Sequence, residues 1–113
     1  MAKTLFEKII DKEIPASIVH EDEHCVAFKD INPAAPTHVL LVPRKPIPKL
    51  SDCTVQDQAL LGHLMLTASA LAQRLGVGEA FRLAVNNGAG AGQSVFHLHL
   101  HILGGRPLKW PPG

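Results

Sequence analysis

Residues 97–101 read His-Leu-His-Leu-His, which puts three of the chain's seven histidines within five positions. On an extended strand, successive side chains point to opposite faces. His97, His99 and His101 then form a row, while Leu98, Leu100 and Ile102 fill the other, core-facing side. Each imidazole has two ring nitrogens that need partners, so three in a row are costly as plain packing. One use for them is a metal ion. At ~3.3 Å per residue the outer two Cα atoms lie roughly 13 Å apart, whereas zinc–nitrogen bonds span only about 2.0–2.1 Å. One ion could take two of the three, with a third ligand such as His38 or Cys53. The stronger use is nucleophilic catalysis. Neutral imidazole titrates near neutrality and needs little activation to attack phosphorus. A covalent phospho-histidine splits one difficult displacement into two easier ones. The segment before the row, NGAGAGQS at 87–94, supplies backbone N–H groups suited to an anionic centre, and Ser94 adds a hydroxyl near a leaving group or phosphate. This pattern implies phosphoryl or nucleotidyl transfer through a histidine, with no metal and no other cofactor.

The elements that must position this row follow from hydropathy. Residues 3–13 predict a short amphipathic helix with Leu5, Phe6, Ile9 and Ile10 in one stripe, opened by Thr4 or Lys3 and closed by Pro15. Residues 17–20 and 24–29 predict two strands joined by Glu21-Asp22-Glu23, a turn without glycine. Residues 30–37 form a loop punctuated by Pro33 and Pro36. Residues 38–43, HVLLVP, predict an interior strand on which His38, Leu40 and Val42 share a face. A proline-rich connector spans 43–50. The longest helix is predicted over 54–75, with Thr54 and Asp57 resembling a capping box and Gly76 as its stop. Met65 is expected in the core, and His63 on the surface. Strands follow over 80–86 and 95–103, with 105–113 as a tail. The order implies an α+β domain spanning 1–113, an antiparallel sheet with helices against one face.

Composition bounds the function. The chain has 113 residues, enough for one compact domain, and a formal net charge of +1, which gives no general attraction for nucleic acid or membrane. The charge is uneven. Residues 1–30 carry a net −3 and residues 31–113 a net +4, so an anionic small molecule would meet the second half more readily. Two distant cysteines without a CxxC motif, and an N-terminus charged every few residues, are expected of a reduced cytoplasmic chain without a signal peptide. No apolar run approaches the ~20 residues of a membrane span.

The run His97-Leu98-His99-Leu100-His101-Ile102-Leu103 resembles the His-φ-His-φ-His-φ-φ signature of the histidine-triad (HIT) superfamily. The longer string NNGAGAGQSVFHLHLHILGGR, with AFKDINP and THVLLVPR before it, is similar to the Hint branch, the purine nucleoside phosphoramidases. The resemblance covers essentially the whole chain. It implies a five-stranded antiparallel sheet with one long and one short helix, and a homodimer whose sheets join into ten strands. It implies hydrolysis of the P–N bond of purine nucleoside 5′-phosphoramidates, releasing AMP or GMP. The alternatives are a dinucleoside polyphosphate hydrolase, or a purine-nucleotide or zinc-binding adaptor with incidental catalysis. By the same resemblance His99 is the nucleophile, His97 and His101 flank it, His38 supports the network, and Ser94 assists the departing amine. Asn86, Gly92 and Ser94 match phosphate contacts, and Asp30 matches a carboxylate that accepts from ribose hydroxyls. Leu5, Phe6, Ile9, Phe28, Ile31 and Leu40 match an apolar slot around the purine. In Hint-like dimers the C-terminal tail approaches the neighbouring site.

Overall fold

The computed structural model describes residues 2–113. Its elements are α1 (Leu5–Ile10), β1 (Ile18–Glu21), β2 (Cys25–Lys29), β3 (Thr37–Pro43), α2 (Gln58–Arg74), β4 (Phe81–Ala84) and β5 (Leu100–Gly104). The strands form one antiparallel sheet in the order β1-β2-β3-β5-β4, so the chain adopts the expected α+β arrangement. No helix among the described residues is long and apolar enough to cross a membrane.

Local chemistry sets both helix starts. Thr4 Oγ1 accepts from the Glu7 N–H at 3.2 Å, and the Glu7 carboxylate accepts from the Thr4 N–H at 3.1 Å. The helix is shorter than expected because Asp11 leaves helical geometry and Lys12 takes a positive φ of 60°. Thr54 and Asp57 make the reciprocal cap over a 3-10 turn, Val55–Asp57, that leads into α2. Asp57 is buried, its Oδ1 receives Lys45 Nζ at 2.5 Å, and that contact pulls its carboxyl below the usual range. Gly76, at φ +82°, stops α2 in the left-handed conformation that glycine adopts freely.

The sheet buries both faces, in different ways. On one face Leu64, Ala68, Leu71 and Ala72 of α2 pack on Cys25, Ala27, Val39, Leu41, Leu98, Leu100 and Ile102. On the other, Phe6 and Ile9 of α1 pack on Val26, Phe28, Leu40 and Val42. The two helices therefore lie on opposite faces. The expectation of helices against one face is corrected, because β2 and β3 carry apolar residues at consecutive positions and have two faces to cover. Met65 is corrected as well. It is 55% exposed, and its neighbour Leu66 is 75% exposed, since the core-facing stripe of α2 runs through Leu64, Ala68 and Leu71.

The turn after β1 is held by Asp22. Its Oδ1 accepts from the backbone N–H groups of His24 and Cys25 at 2.7 and 2.9 Å, which explains a turn without glycine. Its Oδ2 sits 2.8 Å from both His20 Nε2 and His63 Nε2. His63 is thus tied from α2 to the turn and is not a free surface residue, as the sequence had implied. Burial pushes the Asp22 carboxyl up, but its donors outweigh that and hold it well below the usual range. Arg74 Nη2 lies 3.0 Å from His20 Nδ1, so that nitrogen carries the lone pair and Nε2 the proton. The carboxylate is satisfied by five donors, the fifth being the Cys25 thiol at 3.3 Å from Oδ2. Although Cys25 also lies within this cluster, its thiol is buried and pushed up to about 12. The cluster is complete as a hydrogen-bonded stitch between hairpin and helix.

Candidate active site

The histidine row begins before its strand. The ladder between β3 and β5 ends at Leu41↔Leu100, so the predicted strand over 95–103 becomes Leu100–Gly104, and His97 and His99 precede it. Proline explains the boundary. β3 ends at Pro43, which has no N–H to donate. Residues 97–99 are held by other bonds: the Leu98 N–H donates to the Ile47 carbonyl at 2.7 Å, and the His97 ring pairs with the Pro43 carbonyl at 2.7 Å. The alternation survives all the same. Leu98, Leu100 and Ile102 lie in the core beneath α2. His97 and His99 stand edge-on to Phe6 on the other face, at centroid distances of 6.4 and 4.9 Å, and His99 packs on His101 at 5.0 Å.

Carbonyl oxygens only accept, so these partners settle where each proton sits. His99 Nδ1 lies 2.8 Å from the His97 carbonyl and must donate, which leaves the lone pair on Nε2. His97 Nε2 donates to Pro43, which leaves Nδ1 as a buried acceptor without a partner among the described residues. His38 Nδ1 accepts from the Ala34 N–H at 3.0 Å, so Nε2 carries the proton. That Nε2 donates to His101 Nδ1 at 2.9 Å and lies 3.4 Å from Asp30 Oδ2. The remaining proton of His101 is on Nε2, which is buried and unpartnered among the described residues. Burial, with His99 and His38 nearby, lowers His101 to about 4. Burial also lowers His97, against the opposing bond to Pro43. Both rings are neutral near pH 7.

A cavity of about 330 Å³ opens over this face. Of the residues expected to bind or react, Leu5, Phe6, Ile9, Phe28, Asp30, Ile31, Leu40, Ser94, His99 and His101 line it. Phe6 stands edge-on to Phe28 at 5.4 Å and closes its floor. Leu5 and Ile31 are exposed at its rim. His38 lies behind His101 and lines a second cavity with Asp30, Thr37 and Leu75. His97, Asn86 and Gly92 are not in the cavity wall. Asn86 sits against Gly92, where an added Cβ would meet its Nδ2 at 3.8 Å, and Gly92 takes φ +92°.

Sequence reasoning missed part of the wall: Ile14, Pro15, Ala16 and Val95 on the apolar side, and Lys29 and Asn32 at the polar end. It also gave no role to Gln93, which is buried. Gln93 Oε1 accepts from the Gly88 N–H at 2.8 Å, and its Nε2 donates to the Pro48 and Val95 carbonyls at 2.8 and 3.0 Å. This amide ties the glycine-rich turn to the connector. The only signal available was a long polar side chain between Gly92 and Ser94 in an otherwise small-residue loop.

Asp30, His38 and His101 each bring a ligand atom within 4.8 Å of the others. His38 and His101 already spend their facing nitrogens on each other, and an ion there would have to break that bond. Cys53, weighed as a third ligand, packs against the core beneath α2 instead.

The HIT domain profile matches residues 11–108. An uncharacterized HIT-like protein of Synechocystis is 66% identical over 110 residues, covering 97% of this chain and 96% of that protein. A 14 kDa zinc-binding protein of Zea mays is 44% identical over 112 residues, covering 97% of this chain and 88% of that one. The crystal structure of a HIT family hydrolase from Legionella pneumophila superposes with a TM-score of 0.96 at 47% identity, covering 98% of this chain and all of that one.

Proposed function

The chain belongs to the HIT family, and on that premise we propose that it is a nucleotide hydrolase that cleaves the P–N bond of purine nucleoside 5′-phosphoramidates. One observation carries the reading. The bond from His99 Nδ1 to the His97 carbonyl leaves the lone pair of a neutral imidazole on Nε2, in the wall of a cavity with an apolar end and a polar end. In this mechanism His99 Nε2 attacks phosphorus in line. The P–N bond breaks, its electron pair goes to the departing nitrogen, and that nitrogen takes a proton. Ser94, in the cavity wall, would pass it that proton, and the Nε2–H of neutral His101 would donate a hydrogen bond to a phosphate oxygen. Water then attacks phosphorus, the bond to Nε2 breaks, and a nucleoside monophosphate leaves. His97 holds His99 through its carbonyl and offers an acceptor at Nδ1. The purine would lie against Phe6, Ile9, Phe28 and Leu40, with Leu5 and Ile31 at the edge, and Asp30 would accept from the ribose hydroxyls. Backbone N–H groups around Gly92 and Ser94, with Asn86, would meet the phosphate. The charge is met by hydrogen-bond donors fixed before the reaction begins.

The same reading makes the protein a homodimer that extends the sheet to ten strands. β4 is an edge strand, and beside it Leu50, Leu61, Leu64, Met65, Val85, Leu98 and Leu100 line an apolar groove of about 150 Å³. Sedimentation of a monomer at micromolar concentration would overturn this part.

The reaction is tested by release of AMP from adenosine 5′-phosphoramidate, with chelator present, for wild type and His99→Ala. Loss of a covalent nucleophile should cost on the order of 10³-fold or more. Equal rates for the two proteins would sink the role given to His99. Turnover of a diadenosine polyphosphate but not of the phosphoramidate would replace this activity with polyphosphate hydrolysis. Tight AMP binding with neither activity would leave a nucleotide-binding adaptor.

A further inference from the structure

We propose that Arg106 is a positioning residue for the histidine pair, acting through the backbone of Ala34. Arg106 Nε and Nη2 both donate to the Ala34 carbonyl, at 3.2 and 2.9 Å. The N–H of the same residue donates to His38 Nδ1 at 3.0 Å. That bond, with Asp30 Oδ2 3.4 Å from Nε2, sets the tautomer of His38, and through the 2.9 Å contact to His101 Nδ1 it sets which nitrogen of His101 presents a proton. The guanidinium therefore stands at the outer end of a hydrogen-bonded line that runs Arg106, Ala34, His38, His101 and ends at the unpartnered Nε2–H.

Two further observations support the assignment. The loop has little else to hold it. Among the described residues, the hydrogen bonds of residues 31–36 are Asn32 N–H to Asp30 Oδ1, Ala34 N–H to His38, and the pair from Arg106. Pro33 and Pro36 have no N–H to contribute. The approach of Arg106 is also built in by the residue before it. Gly105 has φ +92°, and a Cβ there would come within 2.9 Å of Pro36 Cβ, so only glycine lets the chain leave β5 flush against this loop. A planar guanidinium with a fixed fork of donors suits a bidentate grip on one carbonyl, whereas a lysine ammonium is a single point donor.

The kinetic part of this inference rests on the proposed phosphoramidase reading; the tautomer part does not. Long-range ¹H–¹⁵N correlation spectra of ¹⁵N-labelled wild type, Arg106→Ala and Arg106→Lys would report the tautomer of His38 directly. Wild type should show the proton on Nε2. Arg106→Ala should show a mixture of tautomers, and Arg106→Lys should fall between. On adenosine 5′-phosphoramidate, Arg106→Ala should lower kcat about ten-fold, the scale of a small misplacement of catalytic groups, with KM within two-fold. An unchanged His38 tautomer in Arg106→Ala, with kcat within two-fold of wild type, overturns the proposal. So does a loss of kcat with the tautomer unmoved, since that marks a merely structural role. If the wild type does not hydrolyse the phosphoramidate, the proposed function fails, and the tautomer spectra still decide the role of Arg106.

Discussion

Beneath α2 the sheet is sealed by seventeen helical residues, and Leu41, Leu64, Leu71, Leu98 and Ile102 are almost wholly removed from solvent. On the opposite face the six residues of α1 bring only Phe6 and Ile9 into the core, and a cavity opens between them and His99 and His101. One segment, residues 97–102, supplies both surfaces by alternation. Dense apolar packing on one side makes a rigid platform, and incomplete cover on the other leaves polar nitrogens room to meet a ligand. A site is more exact when it is mounted on an element whose other face is locked by packing.

The largest way to break this contrast is to hollow out the sealed face. Leu64→Ala should lower unfolding free energy by about 2–5 kcal/mol, the cost of transfer plus a cavity, as read by urea denaturation. Nucleotide affinity of the folded variant should be unchanged. Phe6→Ala should lower both stability and AMP affinity, as read by calorimetry. Equal effects of the two substitutions on affinity would erase the distinction between faces.

Next in size is the stitch at the hairpin turn. Asp22→Asn retains the shape but removes the charge that receives His20 and His63. It should cost about 1–3 kcal/mol. His63→Ala should cost less, because four donors to Asp22 remain. A neutral Asp22→Asn would show that the hairpin and α2 are held together by packing alone.

The third test is pH. His101 is lowered from 6.5 to about 4 by burial and its histidine neighbours. Between those values the unfolded chain binds a proton there that the folded chain refuses. Stability from this group is therefore complete above about 6.5 and lost as pH falls toward 4. The Asp22 carboxyl, held below its usual range, adds a loss of the same sign at lower pH. A plot of Tm against pH should fall as pH drops through this window, and His101→Gln should reduce the slope, with buried His97 keeping the rest. An unaltered slope in that variant would remove His101 as the cause.

The smallest effects are at the helix starts. Thr54→Ala and Thr4→Ala each remove one half of a reciprocal cap, for about 1 kcal/mol. Thr54→Ala should appear as global destabilisation, since α2 seals the main core. Thr4→Ala should appear chiefly as weaker AMP binding, since α1 forms a cavity wall. If both appear only in global stability, α1 is as integral to the fold as α2.

Much of this was legible because it is local. Alternation of Leu98, Leu100 and Ile102 against His97, His99 and His101 needs only an extended backbone, and the shared face of His38, Leu40 and Val42 follows from the same period. Both threonine caps depend on residues three apart. The strand boundary was not legible, because it depends on Pro43, which lies across the sheet from the residues that it unpairs. Gln93 was passed over because its partners Pro48 and Gly88 meet it only in the folded loop. His63 looked like a surface residue because its partner, Asp22, is 41 positions away.

Residue types and their short-range spacing determined which faces are apolar, where helices begin, and that several imidazoles must meet near a glycine-rich turn. Those outcomes rest on periods of two to four residues, within reach of any chain with this order. The folded structure decided which nitrogen of His38, His97, His99 and His101 holds its proton. That choice rests on single carbonyls and N–H groups from Pro43, His97 and Ala34. The Pro43 carbonyl comes from a segment 54 positions away and the other two from neighbours within four residues, and a hydrogen bond of this kind exists only once both ends are held within about 3 Å.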